Sequence, residues 1–199
     1  MANLNAARGF RPVRYSDNKA YLGAQTKYYC AGGAVLGVGD PIVRVTGGTA
    51  ADPAGVAAAV VRATTGSYIT GVIVGFDANP ANLQEVGYRG TGDTNYYVYV
   101  ADEPDLIFEV QEGGSGSALT TANIGQSINS ITAVNANTTI GTSLFQIDNA
   151  TVTTSDTGTW IIVGLVQRAD VATGQYARWL VKPNLHTEVS AGAAGVLAI

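Results

Sequence analysis

The clearest alternation of apolar and polar positions lies between residues 95 and 112, in Asn-Tyr-Tyr-Val-Tyr-Val-Ala-Asp-Glu-Pro-Asp-Leu-Ile-Phe-Glu-Val-Gln-Glu. Side chains alternate between the two faces of a strand, so Tyr96, Val98 and Val100 are predicted to share one face. The acidic stretch 102–105 contains a proline, which cannot donate to a sheet ladder. The pattern therefore predicts a β-hairpin, with strands at 96–101 and 106–111 and a tight turn at 102–105.

Further apolar runs bounded by Gly, Pro, Asn or Asp predict strands at 42–46, 68–76, 159–167 and 175–182, the last two forming a second hairpin. Residues 56–64 are ambiguous, because their alanines permit a helix while Val60 and Val61 favour a short strand. Residues 83–88 lead towards another strand. Lys and Glu are scarce, which argues against long amphipathic helices. We therefore expect an all-β fold, a compact sandwich or barrel with little helix.

The predicted domain organisation has three parts. Residues 1–33 have no sustained period and predict an extended N-terminal arm outside the core, anchored through Phe10, Val13 and Tyr15. Deleting residues 2–20 is accordingly expected to leave the β core folded and to weaken partner binding. Residues 34–190 form a single β domain, and residues 191–199 form a small, apolar C-terminal tail that packs on a neighbour or frays.

Within the β domain, residues 113–157 are rich in Thr, Asn, Ser and Gly. This segment is predicted to be either a protruding, partner-contacting insertion or an edge of the same sheet. Thr120 or Thr121 can cap a helix of one or two turns.

Charge is low and uneven. Asp, Glu, Lys and Arg make up 13% of the chain and the net charge is −4. Residues 1–30 are basic and residues 77–112 are acidic, so the two stretches either attract each other across subunits or form two solvated faces. The few basic residues and the acidic aromatic strand argue against binding to nucleic acid.

Residues with catalytic or metal-binding chemistry are few. Cys30 and His186 are the only Cys and His, so a Cys/His zinc site within one chain is excluded. Cys30 is predicted to pack and His186 to form a structural hydrogen bond. Asp102, Glu103 and Asp105 cluster at the turn, where a weak cation site or a carboxylate pair competes with simple solvation. The Gly-rich stretch 113–117 is predicted to be a turn. We therefore predict no catalytic, cofactor-binding or metal-binding residues and no enzyme activity.

Residues 1–14 lack the apolar stretch of a signal peptide, and no apolar run reaches the roughly 20 residues of a membrane span. We therefore expect synthesis in the cytoplasm and no membrane association.

Several blocks, in this order, resemble the small head proteins of tailed bacteriophages that decorate or cement the capsid. They begin with Gly-Phe-Arg-Pro-Val-Arg at 9–14 and Gly-Asp-Pro-Ile-Val at 39–43. They continue with residues 69–76, with Val-Ala-Asp-Glu-Pro-Asp at 100–105 and with residues 108–112. They end with residues 163–166 and with Gly-Gln-Tyr-Ala-Arg-Trp-Leu-Val at 174–181, followed by Asn184 and His186.

The resemblance implies a non-enzymatic virion protein on the capsid exterior. Its partners would be the major capsid protein and other copies of itself, with a trimer among the symmetries. Two alternatives remain open: another virion component, such as a tail or head-fibre protein, and a carbohydrate-binding β module that uses surface Tyr and Trp rings.

Overall fold

β-Branched and aromatic residues build thirteen strands in the part of the chain that the computed structural model describes, residues 3–45, 51–131 and 135–189. The strands are β1 (Arg11–Tyr15), β2 (Thr26–Cys30), β3 (Leu36–Gly37), β4 (Pro41–Arg44), β5 (Val60–Arg62), β6 (Gly71–Phe76), β7 (Tyr88–Arg89), β8 (Tyr96–Ala101), β9 (Leu106–Gly113), β10 (Ser127–Ile128), β11 (Ile147–Asp148), β12 (Trp160–Leu165) and β13 (Arg178–Pro183). The all-β class is confirmed, and so is a strand in each predicted region.

Two mainly antiparallel sheets pack as a sandwich. The six-stranded sheet has the order β1-β9-β13-β12-β10, and β11 pairs in parallel with the end of β9. The five-stranded sheet has the order β2-β8-β6-β4-β5. β3 and β7 form a separate two-stranded ladder.

The core lies in two clusters. The larger cluster fills the space between the sheets with side chains from both, among them Phe108, Trp160 and Trp179 from the six-stranded sheet and Val72 from the five-stranded sheet. The smaller cluster covers the other face of the five-stranded sheet, where Val98 and Ile73 pack with Leu36. Consecutive residues 72 and 73 thus belong to different clusters, as the alternation of a strand requires.

The first predicted hairpin is wrong in its pairing, although both of its strands exist. β8 pairs with β2 and β6, whereas β9 pairs with β1, β13 and β11, so the chain changes sheets at the acidic turn. Side chains at the two ends of the turn bind to different sheets. The Asp102 carboxylate accepts hydrogen bonds from Thr26 and Tyr28 of β2, while Asp105 Oδ1 accepts from Lys182 of β13. The alternation within β8 is confirmed, since Tyr96, Val98 and Val100 are buried on one face.

The second predicted hairpin is confirmed. β12 and β13 pair antiparallel, with Trp160 opposite Pro183 and Leu165 opposite Trp179, and the register shifts between Ile162 and Gly164.

The N-terminal segment is extended, but the expectation that it lies outside the core is wrong. β1 is an edge strand of the six-stranded sheet and β2 an edge strand of the five-stranded sheet. Phe10 is buried, and its backbone N–H donates to Gly39 O at 2.9 Å. Gly9 has a φ of +66°, and a Cβ there would lie 2.4 Å from Ser143 Cβ. The close approach of these two segments of the chain therefore requires glycine.

Within residues 113–157, the described part behaves as an edge of the same sheet. β10 adds to β12, and Leu119, Ile128, Phe145 and Ile147 belong to the larger core cluster. Of the two predicted cap positions, Thr120 occupies the N-cap of a one-turn 3₁₀ helix at Thr121–Asn123, where its backbone N–H donates to Asn123 Oδ1 at 2.8 Å. A second such turn lies at Asn149–Thr151. The predicted tail at 191–199 lies outside the described residues.

Candidate functional site

The carboxylates of the acidic turn do not converge on one point. Asp102 receives Thr26 Oγ1 at 3.1 Å and Tyr28 Oη at 2.9 Å, and Asp105 pairs with Lys182 at 2.8 Å. Glu103 is exposed. In the described stretches of the chain, no group of three or more His, Cys, Asp or Glu side chains is placed to hold a metal ion.

His186 and Cys30 are both buried, in agreement with the structural hydrogen bond predicted for His186 and the packing role predicted for Cys30. His186 Nε2 lies 2.9 Å from Thr70 O, and Nδ1 accepts from the Glu188 N–H at 3.2 Å, so the assigned tautomer carries its proton on Nε2 and donates it to Thr70. Burial lowers the pKa of His186, which favours this neutral form. Cys30 is a free thiol within the smaller core cluster.

The aromatic residues divide into buried and accessible rings. Trp160 and Trp179 are fully buried, so the expectation that Trp rings serve as surface platforms is wrong. Tyr97 and Tyr99 are half-buried, and their hydroxyls donate to Asp52 and Asp77 respectively. The Lys27 ammonium lies 4.1 Å from the centre of the Tyr97 ring and 3.1 Å from Asp77 Oδ2. Part of the basic N-terminal stretch therefore pairs with the acidic stretch inside one chain.

Asp77 is held ionised by these neighbours. Burial alone would raise the pKa of Asp77, but the hydrogen bond from Tyr99 and the nearby Lys27 ammonium outweigh it and leave the pKa below its usual range. Beside it, a pocket of about 200 Å³ gathers polar side chains of two loops, among them Asp77, Asn79, Asp93 and Asn95, with Tyr97 at its wall.

A groove with a volume of about 550 Å³ lies where the two sheets meet. We call it the Arg8–Ile140 groove. β1 and the residues before it form one wall, and β6 forms another. Its apolar lining includes Phe10, Pro12, Val38, Ile73, Val74 and Ile140. Its polar lining includes Arg8, Arg11, Tyr21 and Thr142.

The two arginines give this groove its charge. Both are exposed, and neither forms an ion pair with a carboxylate of the described residues. By contrast, Lys19, Lys27 and Lys182 each pair with an aspartate. The groove thus combines an apolar floor with two available guanidinium groups.

An apolar rim continues from the groove. Ile140 is 59% exposed, and Val86 and Leu83 are 77% and 75% exposed. A Cβ at Gly87 would lie 2.5 Å from Gly141 O, so the two glycine backbones approach closely and their chain neighbours Val86 and Ile140 flank the same contact. Leu83 and Val86 line one pocket together. Exposed apolar side chains grouped beside a groove are typical of protein-binding surfaces.

No local sequence pattern predicts this groove. Phe10 was predicted to be an anchor and residues 1–30 to be basic, but both features were assigned to an arm outside the core. The juxtaposition of Arg8 and Arg11 with Ile73 and Ile140 depends on tertiary contacts that no local pattern reveals.

No family model, curated protein or solved structure matches this chain. Within the described residues, no helix is long and apolar enough to cross a membrane.

Proposed function

We propose that this chain is a non-enzymatic virion structural protein that binds the outer surface of an assembled capsid and stabilises the contacts between capsomers. The observation that carries the proposal is the Arg8–Ile140 groove with its apolar rim. Arg, aromatic and aliphatic side chains are the groups that dominate binding at protein interfaces. The ordered sequence blocks that resemble capsid decoration proteins support the same role.

The sandwich suits such a role physically. A cement protein needs a rigid body that presents a fixed surface, because flexible segments lose entropy on binding. Both N-terminal strands, β1 and β2, are tied into the sheets, and β1 pairing with β9 fixes one wall of the groove. Many copies on a symmetric lattice then add their weak contacts into strong overall attachment.

In this proposal the partners are the major capsid protein and neighbouring copies of the same chain, and the location is the capsid exterior. Binding would depend on the lattice, because one molecule has to touch two capsomers to strengthen their contact. Unassembled capsid subunits are therefore expected to bind more weakly than shells do.

Co-sedimentation tests the proposal. Purified protein is mixed with shells of the source phage assembled without it, and with unassembled major capsid protein as the matched control. We expect saturable binding to shells, approaching one chain per shell subunit, and weak binding to free subunits. Failure of the wild-type chain to sediment with shells would contradict the proposal.

A second candidate function is carbohydrate binding at the pocket beside Tyr97. Its carboxylates, amides and aromatic ring match the chemistry that hydrogen-bonds sugar hydroxyls and stacks on sugar rings. Against this, the Lys27 ammonium already covers a face of the Tyr97 ring.

A glycan array separates this candidate from the first. Binding that is lost in Tyr97→Ala or Tyr99→Ala, and kept in Tyr68→Ala outside the pocket, would favour it. Absence of glycan binding by the wild-type protein would remove it.

A further inference from the structure

The Arg8–Ile140 groove is amphipathic in a way that restricts what can bind there. Its accessible apolar surface comes from the half-buried Pro12, Val38 and Val74 and from the exposed Ile140, since Phe10 and Ile73 are almost inaccessible. Its mouth carries Arg8, Arg11 and the half-buried Tyr21. A wholly polar ligand would leave the floor unfilled, and a wholly apolar ligand would leave the guanidinium groups without a counter-charge.

The guanidinium groups favour carboxylates. Arg presents planar, paired N–H donors that match the two oxygens of a carboxylate, and it keeps its charge at any physiological pH. Arg8 and Arg11 are separated by only three positions and line the same groove. A segment with Asp or Glu beside an apolar anchor residue would complement both.

We propose that the Arg8–Ile140 groove binds an acidic segment of the major capsid protein, one whose apolar side chain enters the groove while its carboxylates pair with Arg8 and Arg11. This inference rests on the proposed function and adds the place and chemistry of contact. The groove volume of about 550 Å³ accommodates a few residues of a peptide.

A second copy of this chain fits the groove less well as a source of the acidic segment. The most acidic turn of the chain has two of its three carboxylates already engaged, Asp102 by Tyr28 and Asp105 by Lys182. A double-stranded nucleic acid is opposed by the apolar floor and by the net charge of −4.

The first experiment measures shell binding by the double variant Arg8→Gln/Arg11→Gln. The matched control is Arg14→Gln/Lys19→Gln, which removes two positive charges from the same stretch but outside the groove lining. We expect the groove variant to bind at least about tenfold more weakly and the control to bind nearly as the wild type, since hydrogen bonds to charged groups are the stronger ones. Raising the salt concentration should weaken the wild type more than the groove variant.

The second experiment identifies the occupant. A photo-crosslinking benzoylphenylalanine replaces Ile140, and crosslinked shells are digested and sequenced by mass spectrometry. We expect crosslinks to a segment of the major capsid protein that contains Asp or Glu. Crosslinks to a second copy of this chain, or to a segment without acidic residues, would overturn the inference.

The outcomes separate the two proposals. If the wild type does not bind shells, the proposed function fails and this inference fails with it. If the wild type binds and the groove variant binds equally well, the inference alone is overturned. Circular dichroism and thermal unfolding of each variant confirm that only folded proteins are compared.

Discussion

The Phe10 ring stacks on the Trp160 indole, with 4.2 Å between the ring centroids and 16° between the planes. Phe108 meets the same indole edge-on at 5.7 Å. One aromatic residue from the N-terminal segment is thereby built into the core next to β12. The N-terminal residues consequently support the fold, and removing residues 2–20 is expected to destabilise the whole domain.

Phe10→Ala is predicted to lower the free energy of unfolding by about 3–5 kcal/mol, the usual cost of removing a buried aromatic ring and leaving a cavity. Urea unfolding followed by tryptophan fluorescence measures it. Leu22→Ala is the control, because Leu22 is highly exposed and its loss should change stability by less than about 0.5 kcal/mol. Equal stability of the two variants would show that the N-terminal segment is not part of the core.

Arg89→Ala is predicted to be among the most damaging charge deletions. The buried Arg89 guanidinium donates to the backbone carbonyls of Glu85, Tyr88 and Asp77 and lies over the Phe76 and Tyr96 rings. Its removal leaves buried acceptors without donors, which costs about 3–5 kcal/mol of unfolding free energy.

Arg168→Ala is the control for Arg89→Ala, since it removes a half-exposed guanidinium that pairs with Glu109. Its expected cost is about 0–1 kcal/mol. Chemical denaturation of both variants gives the comparison, and a cost for Arg89→Ala no larger than that for Arg168→Ala would refute the structural role.

Asp40 is predicted to make stability depend on pH. Burial raises the pKa of Asp40 to about 6 from its ordinary 3.8, although hydrogen bonds from Ser143 and Gly37 oppose the rise. The folded protein therefore keeps a proton that the unfolded chain has lost, so the Asp40 contribution is complete below about pH 4 and falls until about pH 6.

Asp40→Asn should remove this fall. Because one pKa unit corresponds to about 1.4 kcal/mol, the stability of the variant relative to wild type should improve by about 3 kcal/mol between about pH 4 and pH 7. Urea unfolding at both pH values tests this. Asp156 is exposed, so the unfolding free energy of the Asp156→Asn control should change with pH as that of the wild type does. The same pH dependence in Asp40→Asn as in the wild type would contradict the prediction.

Ile140→Ser is predicted to weaken shell binding several-fold while leaving stability within about 0.5 kcal/mol, because Ile140 is exposed at the groove. Ile124→Ser removes a comparable exposed isoleucine away from the groove lining and should bind as wild type does. Co-sedimentation over a concentration series gives the affinities. An equal loss of affinity in both variants would indicate non-specific hydrophobic binding instead of a defined surface.

The strands were predictable because their signal is local. Alternation in Tyr96–Ala101 and the apolar run of Trp160–Leu165 depend only on neighbouring residues, and both strands formed where expected. The pairing partners of β8 and β9 were not predictable. The sequence of the acidic turn is typical of a hairpin turn, but its side chains bind to two different sheets. That distinction depends on Thr26, Tyr28 and Lys182, which are distant in sequence.

The groove was not predictable either, because it too depends on residues that are distant in sequence. Phe10 was identified as an anchor, but its surface, the Trp160 indole, lies 150 positions away. Arg8 and Arg11 were counted as part of a basic stretch, and only the folded chain shows that they differ from Lys19 and Lys27 in having no carboxylate of the described residues within ion-pair distance.

If this protein covers a capsid shell, as we propose, its copy number in the particle must be close to that of the shell subunit. Quantitative mass spectrometry of purified virions from the source counts this chain against the major capsid subunit. We expect a ratio approaching one to one. A handful of copies per virion would indicate a tail or vertex component, and the absence of the chain from purified virions would contradict a virion role altogether.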